Sequence, residues 1–432
     1  MRGLIERVFQ LEAHGTTIPT EVVAGITTFL TMAYIVVVNP QIMAQAGIDA
    51  GAAFTATCLS AAFGSAMMGI IANYPIAVAP AMGINAYFTF TVVLGMGVPW
   101  QQALGAVFVS GVLFLALSLF RVREWLLNSI PMSLKLGMGT GIGLFLALLG
   151  LKGMGVVVAS PVTLVALGNL ASPSTFIACG GFLLMSGLAA RGVPGAILIG
   201  IAAATLAGVP FGLVSFSGIV SAPPSLAPTL LQLDIAGVLR LSMTGVIAAL
   251  FLLVLLDNMG TLIATLYKGG LMREDGSVPR LGRVLIADSG GAIVGSALGT
   301  STLTSYIESA AGIEAGGRTG LTAVVVALMF LACLLFAPLA LAVPGYATAP
   351  ALLVVALAMI GAMGDLPWDD AAEAFPAAAT ALAVVFTFSI ATGIGLGFIT
   401  YVAVNLIAGR WQRISGAVWM IAIASAVLLA IE

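Results

Sequence analysis

Long apolar runs follow one another along almost the whole chain. A run of about 20 such residues is what an α-helix needs to cross the hydrocarbon of a bilayer. No other feature constrains the fold as strongly, because lipid accepts only helices and closed barrels. The runs fall at roughly 20–39, 53–73, 80–94, 101–120, 134–150, 173–190 and 193–209, then at about 241–266, 284–299, 301–314, 319–338, 347–364, 376–391 and 393–409. A last run covers 414–431, as a fifteenth span or an interfacial helix. Of the 432 residues, 61% are hydrophobic and 7% charged, against about 25% charged in a soluble domain. That excludes a soluble enzyme, a disordered chain and, for want of a basic surface, a nucleic-acid binder.

The scarce polar chemistry excludes more. Cys58, Cys179 and Cys333 lie far apart in apolar runs, so no disulfide framework is expected. The only histidine, His14, precedes the first run, which argues against a His-based metal or haem site. No GxxxxGK[ST] motif is present, so the chain has no P-loop ATPase of its own. We expect no cofactor and no metal. The segment containing Glu6, Glu12 and Pro19 shows no signal-peptide pattern.

The first fourteen runs divide seven and seven about the polar-tinged stretch 210–240, which carries Pro223, Pro224 and Pro228. With the N-terminus in the cytoplasm, all of the 15 Lys and Arg except Lys152 and Arg240 fall on cytoplasmic stretches, as the positive-inside rule requires. Two successive halves with an odd number of spans must have opposite orientation. This is the inverted-repeat condition of secondary transporters, whose substrate sits near the midplane between broken helices.

Each half carries one short third segment. In the first, Pro75 and Pro80 bracket an extended piece, and a short helix begins near Ala81. In the second, Gly299-Thr300-Ser301-Thr302 precedes a short helix expected to run to about Gly312. Irregular backbone at membrane depth is tolerated only inside protein or beside a cavity. Half-helix N-termini would offer that cavity free N–H groups.

Two carboxylates lie inside these runs: Asp257, within Leu255-Leu256-Asp257-Asn258-Met259-Gly260-Thr261, and Glu308, in the tenth segment. An ionised carboxylate at a helix centre costs roughly 3 kcal/mol on insertion scales. Such groups face the interior, where desolvation raises their pKa values; they can carry a proton or accept N–H donors. Asp257, Thr261 and Thr265 are spaced i, i+4, i+8; Thr302, Ser305 and Glu308 follow i, i+3, i+6; Thr27, Thr31 and Tyr34 make a similar line. On helices each set would share one face. Hydrogen bonding between helices is the alternative for the hydroxyls. The glycines at 137, 139, 141 and 143 are spaced for close helix packing. Among the other acids, Glu314 is expected to pair with Arg318, Asp288 to cap the ninth segment or join a polar network, and Asp365, Asp369, Asp370 and Glu373 to form a solvated loop.

Several stretches resemble a known family. Val23-Ala24-Gly25-Ile26-Thr27-Thr28-Phe29-Leu30-Thr31-Met32-Ala33-Tyr34, ending at Asn39-Pro40, resembles the opening of AzgA-like purine permeases. So do Ala79-Pro80-Ala81-Met82-Gly83-Ile84-Asn85-Ala86-Tyr87-Phe88, the stretch from Gly299 through Gly312, and Gly316-Gly317-Arg318-Thr319-Gly320-Leu321-Thr322. These permeases carry adenine, guanine and hypoxanthine, within the nucleobase–cation symporter (nucleobase–ascorbate transporter) superfamily. The resemblance, over about residues 16 to 410, implies a uracil-permease-like fold of fourteen transmembrane segments, all α. A core domain would be built from 16–120 and 241–338. A gate domain would comprise 121–240, with the inter-repeat connection, and 339–410; 411–432 would form a C-terminal hydrophobic segment. It further implies a homodimer in the bacterial inner membrane and an elevator-like movement of the core. Family substrate contacts fall on Asp257, Glu308 and Asn85, and Tyr306 matches the base-contacting stretch.

The expected function is thus import of a purine nucleobase by proton symport. Asp257, Glu308, Asn85, Tyr306, Ser305 and Tyr34 are the candidate substrate residues, and Asp257 and Glu308 the candidate proton carriers. Substrate, coupling proton, membrane lipid and a second copy of the chain are the expected partners, without nucleic acid. Two rivals are an anion transporter of the same architecture, which would want a cationic centre, and an intramembrane enzyme such as an aspartyl protease, which would want two opposed Asp residues.

Overall fold

The computed structural model describes residues 2–119, 129–238, 240, 243–268, 271 and 278–431. Within these, a few side chains, Asp257 among them, lie outside the described set. Most of the apolar runs are helical. The helices are α1 (Arg2–Phe9), α2 (Ile18–Met32), α3 (Ile35–Gln45), α4 (Ala50–Met67), α5 (Met82–Ala86), α6 (Trp100–Leu119), α7 (Met132–Gly153), α8 (Pro173–Ala190) and α9 (Ala196–Gly208). After the connection come α10 (Ile235–Val238), α11 (Thr244–Lys268), α12 (Leu281–Leu298), α13 (Ser309–Glu314), α14 (Gly320–Cys333), α15 (Ala337–Leu341), α16 (Gly345–Ile360), α17 (Ala371–Phe386), α18 (Ile390–Ile407) and α19 (Gly416–Ile431). Among the described residues, nine helical stretches are long and apolar enough to cross a membrane. Met82–Gly95, Ala196–Phe211, Thr244–Leu255, Ala371–Phe386 and Gly416–Val427 are shorter apolar helices.

Helix starts follow side-chain chemistry. Thr17, Asp49, Ser172, Thr319, Asp370 and Ser389 each cap the following helix by accepting from a first-turn N–H. The first run is not one helix: it breaks at Ala33 and Tyr34 between α2 and α3. In lipid, helices associate through close packing and polar contacts rather than the hydrophobic effect. The α7 glycines serve this purpose. A Cβ on Gly137 would lie 2.5 Å from the Ala377 carbonyl, one on Gly141 2.9 Å from Val384, and one on Gly143 2.9 Å from the Ala356 carbonyl; Gly139 faces no atom within 4 Å. So α7 packs on α16 and α17, α17 on α18, and α8 on α9 and α16. Separately, α4 packs on α3, α12 and α14, α6 on α11 and α12, and α2 on α13 and α14.

Two short antiparallel strand pairs depart from the all-α expectation. One is a hairpin, β2 (Val157–Ser160) with β3 (Leu164–Leu167), in the connection after α7. The other joins the two halves of the chain: β1 (Val78–Pro80) pairs with β4 (Leu303–Ser305), with Val78 opposite Ser305, Ala79 opposite Thr304 and Pro80 opposite Leu303. The first half behaves as expected, with an extended piece before Pro80 and then α5, prolonged by a π-helical stretch to Gly95. The second half differs. Residues 303–305 are strand, not helix, and α13 starts only at Ser309. Thr302, Ser305 and Glu308 therefore share no helix face.

Candidate functional site

The site is built where β1 crosses β4. Isolated two-residue or three-residue pairings are weak, so flanking groups complete this one. The Ala81 amide donates to the Thr302 carbonyl (3.1 Å) and the Tyr306 amide to the Ala77 carbonyl (3.0 Å). Ser309 Oγ accepts from the Ala77 amide (3.0 Å), and the Ser65 hydroxyl binds both the Val78 amide and carbonyl (3.0 Å each). The Tyr306 hydroxyl donates to the Pro80 carbonyl at 2.6 Å, so Tyr306 clamps the strand opposite its own. Gly64 of α4 lies behind the crossing; a Cβ there would stand 2.9 Å from both Val78 and Leu303 side chains. All six strand residues are buried. The result is buried, extended backbone inside a helical protein, which polar side chains must satisfy.

Glu308 follows β4 directly, at the entry to α13, and is half-buried. The Tyr34 hydroxyl, at the α2–α3 break, donates to Glu308 Oε1 at 2.7 Å. The Thr31 hydroxyl reaches the Glu308 carbonyl at 3.4 Å and the Thr28 carbonyl at 2.7 Å. The line of Thr27, Thr31 and Tyr34 thus points in part at Glu308, although Thr27 bonds only its own helix, at the Val23 carbonyl (2.9 Å). The other anticipated residues divide. Ser305 is buried, its amide donates to Asn258 Oδ1 at 3.3 Å, and its hydroxyl has no partner. The backbone of Asp257 runs in α11, which packs against β4 and α13; its side chain lies outside the described residues. Thr265 donates to the Thr261 carbonyl (2.7 Å), within its own helix.

Asn85 sits in a different, fully buried network. Its amide nitrogen donates to Asn39 Oδ1, and its amide oxygen accepts from the Ser301 hydroxyl. Asn39 in turn donates to Thr57 (2.7 Å) and Thr300 (2.9 Å). These five residues tie α3, α4, α5 and the approach to β4 together, and Asn39 was not singled out from its residue type. Its signal was the polar Asn39-Pro40 pair inside an apolar run.

Several acids are not where the sequence put them. Asp288 lies two turns inside α12, because that helix begins at Leu281, so it is buried away from the capping position. Arg318 does not pair with Glu314: its guanidinium donates to the Ile313 (2.7 Å) and Gly317 (2.8 Å) carbonyls. The carboxylate that organises this turn is Glu21, fully buried, which sequence reading missed. It accepts from the amides of Arg318 (2.8 Å), Thr319 (3.2 Å) and Thr322 (3.1 Å) and from the Thr322 hydroxyl (2.6 Å). Glu373 is not a solvated loop acid either. It accepts from the Ser133 hydroxyl and from Tyr401 (3.0 Å), joining α17 to α7 and α18. Asp370 does remain near the surface, bound by Arg410 at 2.7 Å, whose hydrogen bond chiefly holds its carboxyl below the ordinary value.

Two broken segments crossed at a buried strand pair, with a carboxylate at the crossing, define a membrane transporter of the uracil-permease-like class. Solved structures share this fold. The transmembrane domain of the cyanobacterial bicarbonate transporter BicA superposes with a TM-score of 0.66 at 17% identity, over 88% of this chain and 96% of that one. The murine anion transporter Slc26a9 in its inward-facing state gives 0.68 at 12%, over 95% and 72%. Sequence resolves the family. A model described as "Permease family" matches residues 19–396. The chain is 49% identical to adenine permease AdeP of Escherichia coli over 422 residues, covering 98% of this chain and 95% of that one. It is 42% identical to the guanine/hypoxanthine permease PbuO of Bacillus subtilis over 424 residues, covering 96% and 98%. The chain belongs to the Permease family, among the adenine and guanine/hypoxanthine permeases of the nucleobase–ascorbate transporter group. It is a multi-pass membrane transporter, not an enzyme.

Proposed function

We propose that the protein imports purine nucleobases by proton symport, through an elevator-type movement. The observation that carries this is the Glu308 carboxylate, held by Tyr34 at the crossing of the two broken segments. A planar base presents N–H donors along its edge, and an oriented carboxylate accepts them. The names of the relatives supply the purine. Asp257, one helix away on α11, is assigned to the same base or to the coupling proton. Tyr306 and Asn85 are assigned to holding the crossing against which the base lies, and Ser305 to contacting it.

Fourteen spans in two inverted halves, with a cytoplasmic N-terminus, are the topology we assign. The packing of α2–α6 with α11–α14, and of α7–α9 with α16–α18, supports a core and a gate that move as separate bodies. A homodimer anchored through the gate in the bacterial inner membrane completes the proposal. Asp257→Asn is expected to abolish accumulation of labelled purine against a gradient, and Glu308→Gln to abolish binding. Full concentrative uptake by the Asp257 variant contradicts the assignment.

A further inference from the structure

Asn258 carries a side-chain amide beside β4 whose hydrogen-bonding is half finished. Its Oδ1 accepts from the Ser305 amide at 3.3 Å, while its Nδ2 is buried without a partner, in a residue only 2% exposed. The Ser305 backbone N–H can face only the oxygen, so the amide cannot flip to trade its ends. Nδ2 is therefore a fixed donor. Two further buried groups on the same short stretch lack partners, the hydroxyls of Ser305 and Thr302. Asn258 Nδ2 and the Ser305 hydroxyl are linked through the Ser305 amide, so two unfinished groups stand side by side at the end of β4, where another molecule can complete both. β4 leads directly to Glu308. The two sides differ in chemistry: an ionised carboxylate only accepts, whereas Asn258 Nδ2 only donates.

We propose that Asn258 is a specificity-determining residue, whose Nδ2 donates to a lone-pair atom of the purine, a carbonyl oxygen or an unprotonated ring nitrogen, with the Ser305 hydroxyl beside it. The inference rests on the proposed transport of purines, and deepens it. The carboxylate reads the donor edge of the base, and Asn258 reads an acceptor. Rejection of a base that lacks that acceptor follows, because the buried amide would stay unpaired.

The test is competition for labelled purine uptake by adenine, hypoxanthine and their 1-, 3- and 7-deaza forms, together with purine itself, which lacks the 6-substituent. Wild type, Asn258→Asp and Asn258→Leu are compared, each with its thermal midpoint. In wild type, one analogue, the one without the acceptor, is expected to compete at least tenfold worse than its parent. In both variants that particular deficit disappears while the deficits of the other analogues persist. If every wild-type deficit survives in both variants, or if all bases weaken together in step with lost thermal stability, Asn258 merely supports β4 and the inference is overturned. A wild type that discriminates against none of the analogues overturns it equally. A wild type on which no purine competes at all instead refutes the transport reading itself, so the two failures are distinct.

Discussion

Replacing Tyr34 by phenylalanine removes one oxygen from the site and almost nothing else. The ring is 1% exposed, and the variant keeps its shape, so the surrounding packing is unchanged. What is lost is a 2.7 Å hydrogen bond to the Glu308 carboxylate. Bonds to a charged group are worth about 1.5–3 kcal/mol. If that bond is what orients Glu308 toward the base, substrate affinity falls by roughly 10-fold to 150-fold. The remaining tie, from Thr31 at 3.4 Å to the backbone carbonyl of Glu308, does not reach the carboxylate and cannot substitute. The assay is competition of unlabelled base against labelled uptake in vesicles, with membrane abundance and thermal midpoint as controls. Tyr34→Phe should raise the apparent KM at least tenfold at normal abundance. A double-mutant cycle with Glu308→Asp should show strong coupling, since shortening the side chain withdraws the same acceptor from the Tyr34 hydroxyl. Affinity within twofold of wild type, or strictly additive losses, refutes the argument that Tyr34 orients the carboxylate.

Three further outcomes follow from the same geometry. Glu21→Gln turns one buried acceptor into a donor facing backbone N–H groups, orphaning at least one of them; a destabilisation of about 1–3 kcal/mol is expected, read as a fall of several degrees in the melting midpoint in detergent. Gly64→Val would drive a methyl group into Val78 and Leu303, so it should abolish uptake through a displaced crossing while the protein still reaches the membrane; normal uptake contradicts this account of the crossing. The Asp370 carboxyl is lowered chiefly by its hydrogen bond from Arg410, so its pairing stabilises the fold above the ordinary carboxyl range and is lost as pH falls through the depressed folded value. The wild-type minus Asp370→Asn stability difference should thus stay flat from pH 8 to about 5 and vanish only below about pH 4.

The helices were legible because lipid leaves a chain no other way to satisfy its backbone, and apolar runs report that directly. Prolines at 75 and 80 likewise announced the extended piece of β1. Its partner was not legible. Leu303-Thr304-Ser305 fits a helical spacing as well as a strand, and the pairing that decides the matter lies more than 220 residues away. Glu21 was invisible for a related reason: it reads as an ordinary first-turn acid, and its four donors come from residues 318–322, which no local pattern connects to it. The capping reading of Asp288 failed because its helix begins three residues earlier than the apolar run suggests. Of the anticipated site, Glu308 and Tyr34 emerged together because a lone carboxylate and a tyrosine in apolar runs each stand out. Asn85 stood out too, but the sequence could not say that Asn39 and Ser301 would occupy both ends of its amide.

The central claim is that this chain couples purine movement to protons. Its most direct measurement is uptake of labelled adenine, guanine and hypoxanthine into proteoliposomes under an imposed inward proton gradient and without sodium. We expect accumulation above equilibrium that collapses on adding a protonophore and is absent in Glu308→Gln. Equilibration that ignores the proton gradient, or no uptake of any purine by protein shown to be folded, contradicts the account.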